Sequence, residues 1–299
     1  MIEMKEKEFK SYVKAGKVLK RIQSNAKTSI KEGMKLLDIA EKIEKEIIEL
    51  DAKPAFPANL SLNNNAAHYT PASDDETVIG EKDLLKVDIG VHVDGFIADA
   101  SITIDFSNEW GKMAEATEKA LENALSMLKV GRKLGEIGTE IEKTIRSYGF
   151  NPVQNLSGHG LAEYQTHASP SIPNISKRDA RTIEEGKAYA VEPFATNGSG
   201  FVKEAPQTEI FELNEVKPVR NLEARKILSK VEEEYNTLPF AQRWLLKSFS
   251  PINTKIALRE LIQRECLKRY PLLREQKEMI VTQAENSFVV HNEEIVVLV

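Results

Sequence analysis

Residues Asp83–Phe106 read DLLKVDIGVHVDGFIADASITIDF, and this stretch decides the fold. Apolar and polar positions alternate on both sides of Asp94-Gly95, a dipeptide that favours a two-residue hairpin turn. With these two at the centre of the turn, Val93 faces Phe96, His92 faces Ile97, Val91 faces Ala98 and Gly90 faces Asp99. Asp88 then lies opposite Ser101, which makes Asp88 and Asp99 diagonal neighbours on one sheet face, about 7–8 Å apart at Cα. A one-residue slip of the turn would put them on opposite faces. Aspartate is depleted in strands, and two buried carboxylates this near repel unless a cation or proton lies between them. A pair of divalent metals about 3.5–4 Å apart is one solution.

The chain also echoes itself. Gly33–Ile47 (GMKLLDIAEKIEKEI) aligns with Gly131–Ile145 (GRKLGEIGTEIEKTI) at an offset of 98, with eight of fifteen positions identical. Both copies carry Ile or Leu at spacings of three and four, the apolar stripe of an amphipathic helix. Asn-Leu-Ser follows each copy, at Asn59–Ser61 and at Asn155–Ser157. A second match so soon after the first points to a duplicated unit rather than helix convergence. Lys187–Phe194, Glu209–Leu213, Met279–Val290 and Ile295–Val299 read as further strands. Between Val216 and Lys277 the pattern turns helical (NLEARKILSKVEEEY, TLPFAQRWLL, TKIALRELIQRECLKRY), and strands resume afterwards. The expected organisation is therefore one α+β unit, residues 1–215 and 278–299, with an inserted helical subdomain at 216–277.

Composition narrows the chemistry. The chain has 299 residues, one cysteine and five histidines, with 41 basic against 46 acidic residues for a net charge of −5. A single thiol, Cys266, makes no intrachain disulfide and no thiolate metal cage, which excludes zinc fingers and iron–sulfur clusters. Mild acidity argues against binding nucleic acid over the whole surface. Met1–Arg21 is studded with Lys and Glu and has no signal-peptide core. No run of about 18 apolar residues occurs, so a cytoplasmic protein that does not span a membrane is expected. Any metal must be held by few imidazoles and many carboxylates.

Candidate ligands follow. Glu192 (in YAVEPF) and Glu285 (in IVTQAENSFVV) are acids in otherwise apolar strands, and His159 ends NLSGH after the second repeat helix. With Asp88 and Asp99 they form four strand carboxylates and one imidazole, a set suited to hard-to-borderline divalent ions. His68 (AAHYTP) and His167 (QTHAS) read as loop histidines, a kind usually turned to solvent. His92 and His291 suggest no role. Cys266 reads as helix packing, Trp244 and Phe240 as core of the insert, Arg264–Lys277 as the solvated face of a helix, and Asn197–Gly200 (NGSG) as a flexible loop near the site.

The order KVDIGVHVDGFIADAS, NLSGH, YAVEPF and QAEN resembles the methionine aminopeptidases of the pita-bread fold over nearly the whole chain. AAHYTP and NTLPFAQRWL look like the type 2 enzymes of archaea and eukaryotes. The resemblance implies a pita-bread fold with a pseudo-twofold repeat. It also implies removal of the initiator methionine from nascent chains with a small second residue, by a hydroxide bridging two metals. Asp88 would bind one metal, His159 and Glu192 the other, and Asp99 and Glu285 would bridge. His68 and His167 would contact the substrate, His167 steadying the oxyanion and His68 orienting the peptide or protonating the leaving amine. Glu192 could shuttle a proton, and Phe56 and Phe194 would wall the methionine pocket. Cobalt, manganese, iron and zinc all tolerate such a ligand set. Nascent N-termini are the implied partner, with ribosome association considered and a monomer expected. One departure is Glu285-Asn286-Ser287, where the family commonly has Glu-His-Thr, which bears on support of the metal site. Two rivals are a proline-specific hydrolase of the same fold and a non-catalytic homologue that binds protein or RNA.

Overall fold

The computed structural model describes residues 4–299, and the repeat is its organising feature. Helix α1 (Glu6–Ser29) precedes α2 (Leu36–Glu49), and α3 (Gly111–Ser126) precedes α4 (Leu134–Ser147). The second helix of each pair is 14 residues long and starts at the repeat offset. Before each, a glycine takes a left-handed φ (Gly33 81°, Gly131 79°) and a lysine forms an isolated bridge, Lys35 to Val78 and Lys133 to Thr182. The apolar stripes are buried as their spacing predicts: Leu36, Ile39, Ile43 and Ile47 in one half, Leu134, Ile137, Ile141 and Ile145 in the other. Neither α1 nor α3 was legible from a repeat, since their sequences do not match.

After α2 come β1 (Asn59–Leu62), β2 (Asn65–Ala67), β3 (Leu84–Val93) and β4 (Phe96–Asp105). After α4 come β5 (Ser157–Ala162), β6 (Gln165–Pro173), β7 (Ala188–Val191) and β8 (Phe194–Thr196). The chain continues through β9 (Ile210–Leu213), α5 (Leu222–Glu234), α6 (Pro251–Gln263) and β10 (Leu267–Tyr270). It closes with β11 (Val281–Gln283), β12 (Glu285–His291) and β13 (Glu294–Val297). A curled nine-stranded sheet runs Lys53–Pro54, β3, β4, β12, β7, β5, β6, with β1 added to β3 and β13 to β12. The helices cover its outer face, α1 over β3 and β4, α3 and α4 over the second half. This is the pita-bread, α+β architecture.

The hairpin has the expected register: Gly90 pairs Asp99 and Asp88 pairs Ser101. Both turn residues are left-handed, Asp94 at φ 52° and Gly95 at φ 88°, as a right-twisted two-residue hairpin requires. Between residues 216 and 277 the structure departs from an all-helical reading. Helix α6 stops at Gln263, Glu265 turns left-handed, and Leu267–Tyr270 pairs with β9 as a strand. The run from Arg264 to Lys277 is therefore strand and loop rather than a helix face. Cys266 is buried just beyond the helix, and Phe240 lies in the same apolar cluster with Trp244 packed against it. Asn197–Gly200 is tied down: Ser199 Oγ and the Gly200 amide donate to Glu275, Asn151 donates to the Gly198 carbonyl, and the Ile280 amide donates to Asn197. None of those four residues lines the central cavity. No helix among the described residues is long and apolar enough to cross a membrane.

Candidate active site

The curled sheet encloses a cavity of about 630 Å³. Asp88, Ser101 and Glu285 form one row across β3, β4 and β12. The next row runs from Gly90 through Asp99 towards Ser287, whose Oγ accepts from the Asp99 amide at 2.9 Å. Ala190 then separates Ser287 from His159. Small residues in these rows leave the space into which the acids project. Gly90 is tightest, since a Cβ there would lie 2.2 Å from the Phe56 ring that covers it. Glu192 follows the end of β7, and Asn174 donates to its backbone carbonyl at 3.0 Å.

His159 stands among three of the acids. Its Nε2 lies 3.8 Å from Glu192, 3.9 Å from Asp99 and 4.0 Å from Glu285. Its Nδ1 faces the Gly160 carbonyl at 3.2 Å. That partner accepts, so Nδ1 carries the proton and Nε2 keeps its lone pair towards the carboxylates. Burial pushes the Asp88 carboxyl up to about 7. The carboxyls of Asp99, Glu192 and Glu285 are held well above the usual range, by burial first and by repulsion among the acids second. Burial also lowers His159 to about 4, so no imidazolium neutralises the cluster.

These residues fit a divalent metal. One ligand atom each from Asp99, His159 and Glu285 falls within 4.8 Å of the others. Asp88 Oδ1, Asp99 Oδ1 and Glu285 Oε1 are buried without a hydrogen-bond partner. Buried carboxylate oxygens are rarely left so, and a bound cation is a partner that such oxygens accept. Oxygen donors with one imidazole suit a divalent ion of borderline softness.

The substrate-contacting candidates line the same cavity. Phe56 and Phe194 are both buried. His68 sits at φ 64°, a left-handed value uncommon outside glycine, with Nδ1 3.2 Å from the Pro271 carbonyl. Burial lowers it to about 4. His167 keeps surface open to the cavity, yet the protein around it, with His159, His68 and Lys268 nearby, holds it well below its ordinary value. Its ring centroid is 4.7 Å from that of His159.

Tyr270 escapes the sequence reading. It stacks on His167 at 5.6 Å and meets His68 edge-on at 5.3 Å. A helical reading of RECLKRY buried it in the insert. Pro271, which biases the preceding residue towards extended backbone, was the available signal. Asn59 and Asn155, from the two Asn-Leu-Ser copies, both line the cavity. Asn286 answers the question raised by the missing imidazole. Its side chain is turned to the chain end, donating to the Val299 carbonyl at 2.8 Å and accepting from the Val299 amide at 3.2 Å. It is Ser287 that supports the Asp99 strand. Of the remaining histidines, His92 accepts from the Gly95 amide in the turn, and His291 stacks on Phe9.

Metallopeptidase family M24 matches residues 10–219. The chain belongs to this family. Methionine aminopeptidase from Pyrococcus horikoshii is 46% identical over 286 residues, covering 95% of this chain and 97% of that protein. The enzymes of the same name from Methanothermobacter thermautotrophicus and Saccharolobus solfataricus are 43% and 38% identical, covering 96% and 98% of this chain and 97% and 98% of theirs. These archaeal relatives support the type 2 kind. Among solved structures, a thermophilic Arx1 superposes with a TM-score of 0.86 at 18% identity, covering 99% of this chain and 91% of its own. Methionine aminopeptidase from Thermotoga maritima gives 0.72 at 21%, covering 100% and 99%. Prolidase from Pyrococcus furiosus gives 0.64 at 17%, covering 99% of this chain and 65% of its own. At these identities the structural likenesses show the fold alone. The curated relatives carry the activity: the M24 chain described here is a metal-dependent aminopeptidase acting on N-terminal methionine.

Proposed function

We propose that the chain removes the initiator methionine from newly made cytoplasmic proteins whose second residue is small, using two divalent metal ions. Asp88 would hold the first ion, His159 and Glu192 the second, with Asp99 and Glu285 shared. Cobalt, manganese, iron and zinc remain equally suited. The observation that carries this reading is the set of orphaned carboxylate oxygens on Asp88, Asp99 and Glu285, with Asp99 and Glu285 gathered around the bare Nε2 of His159. When bound, such ions supply Lewis acidity and lower the pKa of water towards neutrality.

The remaining roles belong to the protein. Phe56 and Phe194 would take the methionine side chain, an unbranched thioether suited to aromatic walls. Pro271 fixes the Nδ1 proton of His68, so its Nε2 is free to accept from the peptide and orient it. His167, its ring 4.7 Å from that of His159, would steady the oxyanion of the scissile carbonyl. Glu192 would move the proton between water and the leaving amine. Residues 216–277 would act as an inserted subdomain, with β9 just before it and β10 within it bringing Ile210 and Tyr270 to the cavity wall. The chain would act as a monomer on nascent N-termini, in solution or beside the ribosome.

The test compares peptides. Met-Ala-Ser is expected to be cleaved to Met and Ala-Ser, with X-Pro peptides left intact and bulky second residues slowed. Preferred X-Pro cleavage would favour the proline-specific reading, and metal binding without turnover of either peptide the non-catalytic one.

A further inference from the structure

We propose that Lys86 and Thr103 are positioning residues that clamp strand β11, so that Glu285 arrives beside Asp88 and Asp99. The proposal rests on the metallo-aminopeptidase reading for its catalytic meaning but not for its geometry. On the hairpin, Lys86 pairs with Thr103 in the register, two residues along from the pairing of Asp88 with Ser101. Side chains two apart on a strand share a face, so this pair lies on the same sheet face as the acids. Neither residue lines the cavity. Each hairpin strand that carries an acid thus carries a second polar side chain beside it.

Both side chains reach β11. Lys86 is 1% exposed and has no charged partner. A lysine is almost never fully buried unless paired, and here its Nζ donates to two backbone carbonyls, Val281 at 2.8 Å and Asn63 at 3.0 Å. The Asn63 carbonyl also accepts from the Val281 amide at 3.1 Å. Thr103 holds the other end of the strand: its Oγ1 donates to the Gln283 carbonyl at 2.6 Å and accepts from the Gln283 amide at 3.0 Å. Both backbone groups of Val281 and both of Gln283 are thereby fixed.

The clamp matters because the chain changes sheet at Ala284. Strand β11 pairs with β8, whereas Glu285 opens β12 in the curled sheet, opposite Ser101. The approach of Glu285 is therefore set by how β11 is held. The Gln283 side chain carries the same alignment forward, donating to Glu285 Oε2 at 3.4 Å. A carboxylate that must be ordered at the moment of binding holds an ion less tightly.

The test titrates the metal-stripped full chain with manganese and follows the heat of binding. Thr103→Val keeps the shape and removes both bonds to Gln283, and Lys86→Met keeps the apolar stem and removes the donor. Each is expected to bind manganese about 10–100-fold more weakly than wild type. kcat on Met-Ala-Ser should fall in the same range with KM little changed, since neither residue faces the cavity. Thr103→Ser retains the hydroxyl and should restore wild-type affinity. A lowered Tm with wild-type manganese affinity and kcat would mark a merely structural role and overturn the proposal. Should Lys86→Met fail to fold, Thr103→Val decides by the same readout. In metal-free wild type the Gln283 amide should resist hydrogen exchange and lose that protection in Thr103→Val; equal exchange in the two also overturns the clamp. If wild type binds no manganese or fails to cleave Met-Ala-Ser, the metallo-aminopeptidase reading fails while the exchange comparison still judges the clamp.

Discussion

Asp99→Ala is expected to abolish turnover, and Asp99→Asn to do so while making the metal-stripped protein more stable at alkaline pH. Losing one preorganised hydrogen-bond donor costs about 10²–10³ in kcat. As a carboxylate proposed to be shared between two ions, Asp99 would contribute more, so turnover should fall by at least ~10³-fold. Stability moves the other way because the four acids sit together without a counter-cation. Burial raises Asp88 from 3.8 to about 7, and burial with mutual repulsion holds the other three well above their ordinary values. A group with a raised folded-state pKa stabilises the fold at low pH and loses that contribution as pH climbs through the folded value. The buried histidines act oppositely: His68, His92 and His159 fall from 6.5 to about 4, so their cost is paid below pH 6.5 and vanishes above it. From pH 6.5 upwards the cluster's acids drive a decline in the Tm of the metal-stripped protein, opposed by the buried Lys86 amine, which burial holds well below its ordinary value and which Asp99→Asn leaves unchanged. Asp99→Asn removes one acid at constant volume and should flatten that decline. A thermal melt series from pH 6.5 to 9 reads it; a decline as steep in Asp99→Asn as in wild type would contradict the shared-cluster account.

Arg243→Ala should be the most destabilising single change outside the site. Glu44 on α2 is buried and accepts from Arg243 Nη2, from Trp244 Nε1 at 2.8 Å and from the Ala58 amide at 3.2 Å. Arg243 Nη1 donates in turn to Thr70 Oγ1 at 2.7 Å and the Pro71 carbonyl at 3.0 Å. The network clamps the 56–71 segment, which carries Phe56, Asn59 and His68, between α2 and the strand and short helix at 240–245. Burial outweighs attraction for both partners: Glu44 is raised despite Arg243, and Arg243 is lowered despite Glu44. The pair therefore holds geometry more than it adds stability. Removing one partner strands a buried charge at a cost of about 3–5 kcal/mol, a Tm loss on the order of 10 °C. The apolar double variant Glu44→Leu/Arg243→Met should recover most of that Tm, yet raise KM because the His68 segment is no longer held. Wild-type Tm in Arg243→Ala, or wild-type KM in the double variant, would contradict this role.

Legibility from sequence tracked the range of the interaction. The Asp88/Asp99 pairing could be read because a two-residue turn with both positions left-handed fixes the register locally. The duplicated helices could be read because each carries its own glycine, lysine and apolar stripe. Leu267–Tyr270 could not. Its extended state is set by pairing with Ile210–Leu213, far away in the chain, and its sequence continues the charged periodicity of α6. Tyr270 and its stacking on His167 were lost with it. The convergence of Glu192 and Glu285 on the hairpin acids came from family likeness, since their approach is made by β7 and β12 meeting in the sheet. The concern over Asn286 dissolved for a local reason: alternation along β12 turns Glu285 and Ser287 to the site and Asn286 to Val299.

The most direct test of the central claim is a titration of metal-stripped protein with manganese or cobalt, heat of binding and Met-Ala-Ser cleavage followed together. The account predicts no turnover before addition, binding that ends near two equivalents, and activity that rises with it. Turnover by the stripped protein, or no ion bound by the wild-type chain, would contradict the reading of Asp88, Asp99, His159, Glu192 and Glu285 as a metal centre.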